Sequence, residues 1–289
     1  MRWEMGRESE NVEDRRGMGG GFGRGVQVGG IGGLGVVAVA LIAMFLGVDP
    51  RLVLDMLPTD TGTQPAVVEG GRPPADDQQA RFVSTVLGET EDTWHEIFNA
   101  MGRQYQEPRL VLFDGRVQSA CGIAGAATGP FYCPGDERVY LDLSFFDELE
   151  RRFEAPGDFA RAYVIAHEVG HHVQTLLGIT GEVDRLRQRS DEATSNRLSV
   201  RVELQADCLA GLWARHTEER HEILEPGDIE EAMNAASAVG DDRIQRATRG
   251  YVVPDAFTHG SAAQRVRWFH RGFDTGNLDA CNTFDAGHP

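Results

Sequence analysis

Residues 158–177 read DFARAYVIAHEVGHHVQTLL, and the centre of that stretch, His167-Glu168-Val169-Gly170-His171, decides the fold. On an α-helix, residues four apart lie one above the other, so His167 and His171 can offer two imidazole nitrogens to one metal ion. Glu168 is rotated by one position and can reach a metal-bound water without being a ligand. The residues before it, Tyr163, Val164, Ile165 and Ala166, suit a helix buried beneath a cleft. Gly170 is a poor helix former, and its place inside this helix predicts close packing against a neighbour.

Two histidines are too few for a catalytic zinc, so a third ligand must come from elsewhere. A histidine further along the same stretch would need Gly and His where Gln174 and Leu177 stand, which excludes that solution. The other common solution is a glutamate on a downstream helix. VELQAD at 202–207 supplies Glu203, with Asp207 one turn later on the same face of an otherwise largely apolar helix. Glu203 is the expected ligand, and Asp207 the expected acceptor for the free ring N–H of a ligand histidine. His172 lies about 100° around the helix from His171 and reads as a packing residue. His95, His216, His221, His270 and His288 have no partner at ligand spacing.

Working outward, the composition turns globular from about Gln78. Phe82, Val83, Val86 and Leu87, then Trp94, Ile97, Phe98 and Met101, recur at helical spacing. RLVLFDG (109–115) and VYLDL (139–143) are short β-type runs. Helices are expected from Asp158 to about Leu177 and from about Arg197 to Arg220. Others are expected after Asp228, where Glu231 completes a capping-box-like pattern, and from Ser261 through Phe269. A few strands followed mainly by helices indicates an α+β fold, mostly helical with a small sheet.

In front of this domain, Gly25–Val48 is a 24-residue run without a charge, long enough to cross a bilayer. It is longer than the usual apolar core of a secretory signal, and no convincing cleavage site follows Val48. The expected organisation is therefore a tail at 1–24, a transmembrane helix at 25–48, a Pro/Gly-rich linker at 49–77 and a catalytic domain at 78–289. Arg2, Arg7, Arg15, Arg16 and Arg24 precede the run, against Arg51 alone just after it. That imbalance predicts a single-pass membrane protein with a cytoplasmic N-terminus and a periplasmic or extracellular catalytic domain. The acids of the tail balance its arginines, so the whole net charge of −17 lies beyond the run. Such an acidic surface lacks the basic face that nucleic-acid binding needs. Cys121, Cys133, Cys208 and Cys281 all fall on the side expected outside, compatible with two disulfides. Four cysteines allow three pairings. The 12-residue spacing across a Gly/Pro-rich turn favours Cys121–Cys133, and Cys208–Cys281 would then tie the C-terminal tail to a helix. No CxxC pair is present to suggest a structural zinc site.

With CG at 121–122, GPFYCP at 129–134, VYLDL at 139–143, HEVGHHVQ at 167–174, ELQADC at 203–208 and HGSAAQR at 259–265, the chain resembles the bacterial neutral zinc metallopeptidases of the YpfJ type. It is more distantly similar to the membrane gluzincins of the HtpX and CAAX-protease groups. The resemblance covers roughly residues 78–289 and implies a zincin-like (gluzincin) domain that hydrolyses peptide or protein substrates with Zn2+ as cofactor. It also implies roles for His259 and Arg265, which show the six-residue His-to-Arg spacing of the related membrane enzymes. His259 would stabilise the oxyanion, and Arg265 would hold the ligand helix or the His259 loop. Pro follows the histidine in those relatives, whereas Gly260 follows here.

The expected activity is a zinc-dependent endopeptidase with Glu168 as general base and His167, His171 and Glu203 as ligands. The alternative is an inactive, zinc-stabilised membrane scaffold. Glu168 argues against it, because a structural site has no need of a base beside its ligands and tends to close all four positions with protein groups. Val117–Ala126, Gly-rich and between the two β-type runs, is the expected edge along which an extended substrate would align.

Overall fold

In the computed structural model, which describes residues 1–18, 70–125 and 128–285, the two β-type runs of the sequence lie side by side at the centre of one sheet. In chain order the strands are β1 (Val12–Asp14), β2 (Arg109–Phe113), β3 (Arg116–Ser119), β4 (Gly122–Gly125), β5 (Phe131–Cys133) and β6 (Arg138–Asp142). The helices are α1 (Gln78–Ala100), α2 (Ser144–Arg151), α3 (Asp158–Leu176), α4 (Ile179–Arg187), α5 (Glu192–His221), α6 (Asp228–Ala238), α7 (Asp241–Arg249) and α8 (Ala262–Thr275). The mixed, mostly helical architecture expected from the sequence is what these elements form.

The main sheet has the order β1-β2-β6-β5. β1, β2 and β6 run parallel, and β5 is an antiparallel edge strand. β3 and β4 form a separate antiparallel hairpin. Side chains alternate across a strand, so β2 and β6 feed two cores. Leu110, Leu112, Val139 and Leu141 face the large helical core, whereas Val111, Phe113 and Tyr140 pack with Val117 and Cys133 on the other side. Burial on both faces is why these strands read as continuous apolar runs. The two disulfides join Cys121 to Cys133 and Cys208 to Cys281, the pairing the spacing favours.

The helices α3, α5 and α8 cross where their backbones can approach. A Cβ on Gly170 of α3 would stand 3.2 Å from the Cα of Ala206 on α5, so the close packing expected at Gly170 is real. α5 also meets α8 at two such points. A Cβ on Gly211 would sit 2.0 Å from the carbonyl oxygen of Phe269, and one on Gly272 would overlap the carbonyl oxygen of Cys208. These contacts bring Arg265 on α8 over Asp207 on α5. Ser261 and Gln264 form the full capping box that opens α8. The capping box expected at Asp228 does not form: Gly227 precedes α6, and Glu231 instead reaches across to accept the N–H of Phe159 at the start of α3.

The largest departure from expectation is the tail. Residues 1–18 are part of the same compact unit as the domain. β1 pairs in parallel with β2, Val12 opposite Leu110, and Asp14 donates its N–H to the Gly71 carbonyl at 2.7 Å. Trp3 is buried edge-on to Phe82 at 5.4 Å, and Arg7 pairs with Glu91 and with the carbonyl of Gly88. Strands of one sheet share one compartment. The tail that the arginine count places in the cytoplasm thus carries an edge strand of the domain's own sheet. Three of the arginines that suggested the orientation make ion pairs within the fold. Arg7 pairs with Glu91 and Asp92, Arg15 with Glu13, and Arg16 with Asp14 and Asp77. The expected transmembrane helix at 25–48 and most of the linker at 49–77 lie outside the described residues. Among the described residues no helix is long and apolar enough to cross a membrane.

Candidate metal centre

The structure brings together the three ligands expected from the sequence. His167 and His171 project from α3, one turn apart, and Glu203 from α5. Glu203 Oε2 lies 3.2 Å from His167 Nε2, and Oε1 lies 3.6 Å from His171 Nε2. Candidate ligand atoms of all three fall within 4.8 Å of one another.

Each imidazole is oriented from behind. His167 Nδ1 lies 2.9 Å from Asp207 Oδ1, where its N–H donates and leaves Nε2 for the centre. Asp207 is in turn gripped by Arg265, with Nε 2.8 Å from Oδ2 and Nη2 2.8 Å from Oδ1, and it accepts the Tyr163 hydroxyl at 2.5 Å. All four are buried. His171 Nδ1 is 2.9 Å from Gln174 Oε1. The amide of Gln174 is fixed because its nitrogen donates to the Val202 carbonyl at 2.8 Å and to Gln205 at 3.0 Å. Gln174 entered the sequence reading only as the residue that excludes a third histidine. Its role depends on a second helix, so spacing alone gives no sign of it.

The electrostatics follow from that packing. Burial alone would make His167 less basic, but Asp207 and Glu203 outweigh it and lift the group to about 9. Burial likewise opposes, and Glu203 outweighs it, at His171, which is also raised. Glu203 is held well below the carboxylate range by the two imidazoles despite its burial. Two imidazoles and one carboxylate converging on one point are the donor set of a catalytic zinc, which takes three protein ligands and keeps an open position. The residues therefore fit the metal.

Beside this centre runs a cleft of about 620 Å3. Glu168, 8% exposed, lines it next to the ligands and has no hydrogen-bond partner among the described residues. His259 and Arg265 also border the cleft. His259 Nδ1 lies 3.0 Å from Thr258 Oγ1 and 3.4 Å from Asp241 Oδ1. Its basicity is raised first by that bond to Asp241, against the effect of burial. One expectation fails here. Among the described residues, none of Val117–Gly125 lines the cleft, and Ala126 lies outside them. The wall on the sheet side is Thr128–Tyr132 with Pro134, which includes Phe131 and Tyr132 of the edge strand β5. β5 has only three residues, too few for alternation to announce it. His172, expected to pack, is buried and ties β5 to the ligand helix. Its Nε2 donates to the Gln106 carbonyl at 2.6 Å, and Nδ1 accepts from Tyr132 at 3.1 Å.

Two histidines and a glutamate converge on crossed helices beside an edge strand, a donor set that suits zinc. The family model described as "Putative neutral zinc metallopeptidase" matches residues 1–284, and the chain belongs to that family, whose cofactor is zinc. YpfJ of Escherichia coli (strain K12), an uncharacterised protein, is 49% identical over 288 residues, covering 98% of this chain and 99% of its own length. The uncharacterised Rv2575 of Mycobacterium tuberculosis (strain H37Rv) is 43% identical over 257 residues, 84% of this chain and 85% of its own. No solved structure matches the chain.

Proposed function

We propose that the protein is a zinc-dependent endopeptidase. The observation that carries this reading is Glu168: a buried carboxylate with no hydrogen-bond partner among the described residues, beside three converging donor groups and bordering a cleft. Zinc held by His167, His171 and Glu203 would acidify a bound water and polarise the scissile carbonyl. Glu168 accepts the proton of the attacking water and delivers it to the leaving amine. Asp207 and Gln174 keep the two Nε2 atoms turned inward, and Arg265 and Tyr163 hold Asp207. His259 donates to the developing oxyanion. β5 offers main-chain groups against which an extended peptide lies.

We further propose that the catalytic unit works outside the cytoplasm, supported by its two disulfides. Residues 25–48 would hold it at a membrane, a reading that rests on their hydropathy. The pairing of β1 with β2 then requires both flanks of that run to lie on the same side.

The test uses the whole chain, purified from an oxidising compartment and loaded with zinc. It should carry about one zinc per chain and cleave fluorescently labelled casein. Glu168→Gln should retain the metal and lose cleavage by a factor of roughly 10² or more. Full cleavage by that variant would overturn the mechanism.

A further inference from the structure

The loop that carries His259 is shaped by one carboxylate. Asp241, the first residue of α7, is 9% exposed. Its Oδ2 accepts three consecutive backbone N–H groups: Thr258 at 2.7 Å, His259 at 2.6 Å and Gly260 at 3.0 Å. The return bond runs from the Asp241 N–H to the Gly260 carbonyl at 2.9 Å. Next to it, Asp242 Oδ1 accepts the Ala262 N–H at 2.7 Å. The other oxygen of Asp241 faces the His259 ring through Nδ1.

Gly260 is what lets the loop close this way. Its φ is 91°, and its N–H is one of the three donors. Proline, with φ locked near −65° and no N–H, could do neither. A carboxylate that collects several N–H donors is a strong and directional anchor. It leaves the His259 backbone little freedom, and the half-exposed ring is met at Nδ1 by Thr258 Oγ1 at 3.0 Å and by Asp241 Oδ1 at 3.4 Å. His259 Nε2 has no partner among the described residues, and the ring borders the cleft beside the metal ligands.

We propose that Asp241 is a positioning residue of the active site: it fixes the Thr258–Gly260 loop and the His259 ring so that Nε2 is presented to the substrate oxyanion. The role rests on the peptidase reading, but half of its test does not. Charge relay is not required; Asp241 acts by placing a donor before the substrate arrives, the condition under which such a donor contributes most.

The experiment compares wild type, Asp241→Ala, Asp241→Asn, His259→Ala and the Asp241→Ala/His259→Ala double variant, each as the zinc-loaded whole chain. Histidine-ring 15N NMR is read first, because it needs no activity. In wild type His259 should show protons on both ring nitrogens, Nδ1 towards Asp241 and Nε2 free to donate, and a single ring environment. Asp241→Ala should broaden or shift that resonance while the His167 and His171 signals and the zinc content stay in place. Casein cleavage is read second. Asp241→Ala should lower kcat at least tenfold, towards the roughly 10²-fold loss expected for His259→Ala, with KM changed less than about threefold. The double variant should be no slower than His259→Ala within about twofold, because the two residues act as a unit. Asp241→Asn, whose amide oxygen still accepts N–H bonds, should fall between, and it decides the matter if Asp241→Ala does not fold. An unchanged His259 resonance, or losses that multiply in the double variant, would overturn the proposal. Absence of cleavage by wild type would instead count against the peptidase reading, leaving the NMR comparison to decide the role of Asp241.

Discussion

Arg265 and Asp207, 58 residues apart in sequence, meet in a fully buried, two-pronged ion pair directly behind the ligand His167. The geometry joins stability to metal binding. Breaking a buried pair leaves an uncompensated charge and typically costs about 3–5 kcal/mol. Arg265→Ala should therefore lower the unfolding free energy by that order, seen in denaturant melts of the metal-free protein. Asp207→Asn leaves the buried Arg265 unpaired, so it should cost stability of the same order and in addition weaken zinc about 10–100-fold, because His167 loses its orienting carboxylate. An Arg265→Ala variant as stable as wild type would mean the pair is not closed in solution.

Gln174 holds His171 as Asp207 holds His167, but without charge. Gln174→Ala should weaken zinc about tenfold and Gln174→Glu by less, since a carboxylate still accepts the Nδ1–H. Both variants should keep the fold, because α3 still packs on α5 where Gly170 meets Ala206. Competition with a chelating dye measures the affinity. Unchanged binding in Gln174→Ala would show that the amide does not orient the ligand.

Zinc uptake should depend on pH in a direction set by the imidazoles. The folded-state value of His167, about 9, lies above the ordinary 6.5 because Asp207 and Glu203 outweigh burial. Its pairing stabilises the metal-free fold fully below pH 6.5 and is lost as pH rises through about 9. Zinc must displace that proton, so apparent affinity should rise with pH until about 9 and binding should release protons. Titration calorimetry in buffers of differing ionisation enthalpy reads both. Affinity independent of pH between 6.5 and 9 would be the contrary result.

How much of this was legible in the sequence depends on how local each signal is. His167, Glu168 and His171 declare themselves within five residues, and Glu203 with Asp207 within another five, because helical periodicity alone stacks them. β2 and β6 were readable because burial on both faces makes them apolar throughout. Gln174, Tyr163 and Asp241 act across gaps of 28 to 44 residues or through backbone donors, as Asp241 does for Thr258–Gly260, and such partners have no spacing rule. β1 was missed for another reason. Val12-Glu13-Asp14 is short and acidic, and its charges are met by Arg15, Arg16 and Arg138. Arginines that a topology rule counts as cytoplasmic here neutralise a strand.

The two disulfides should differ in what they stabilise. Cys121 and Cys133 are 12 residues apart, Cys208 and Cys281 73. In the loop-entropy account the first constrains the unfolded chain by about 3 kcal/mol and the second by about 4.5 kcal/mol. Replacing Cys208 and Cys281 with serine should also free the tail that holds Gln205 through the Cys281 carbonyl. Denaturant midpoints of the two double-serine variants test the order; a larger loss from the shorter loop would contradict it.

The place of the tail makes the sharpest prediction about the living cell. β1 belongs to the sheet, and the fit is close: a Cβ on Gly88 would stand 2.3 Å from the Arg7 carbonyl oxygen, so the tail lies directly on α1. Gly88→Val should therefore loosen residues 1–18 and expose Trp3, seen as a red shift in fluorescence and faster tryptic cleavage at Arg7. Met5 is 88% exposed and Tyr251 63%, so Met5→Cys and Tyr251→Cys each present one thiol at the surface, one in the tail and one in the domain. In intact cells a membrane-impermeant maleimide should treat the two alike, and with disulfides pointing to an oxidising compartment both should label. A run of residues 25–48 that carried the tail across the bilayer would protect Met5→Cys while Tyr251→Cys labelled. That outcome would show that β1 does not pair with β2 in the membrane-bound protein.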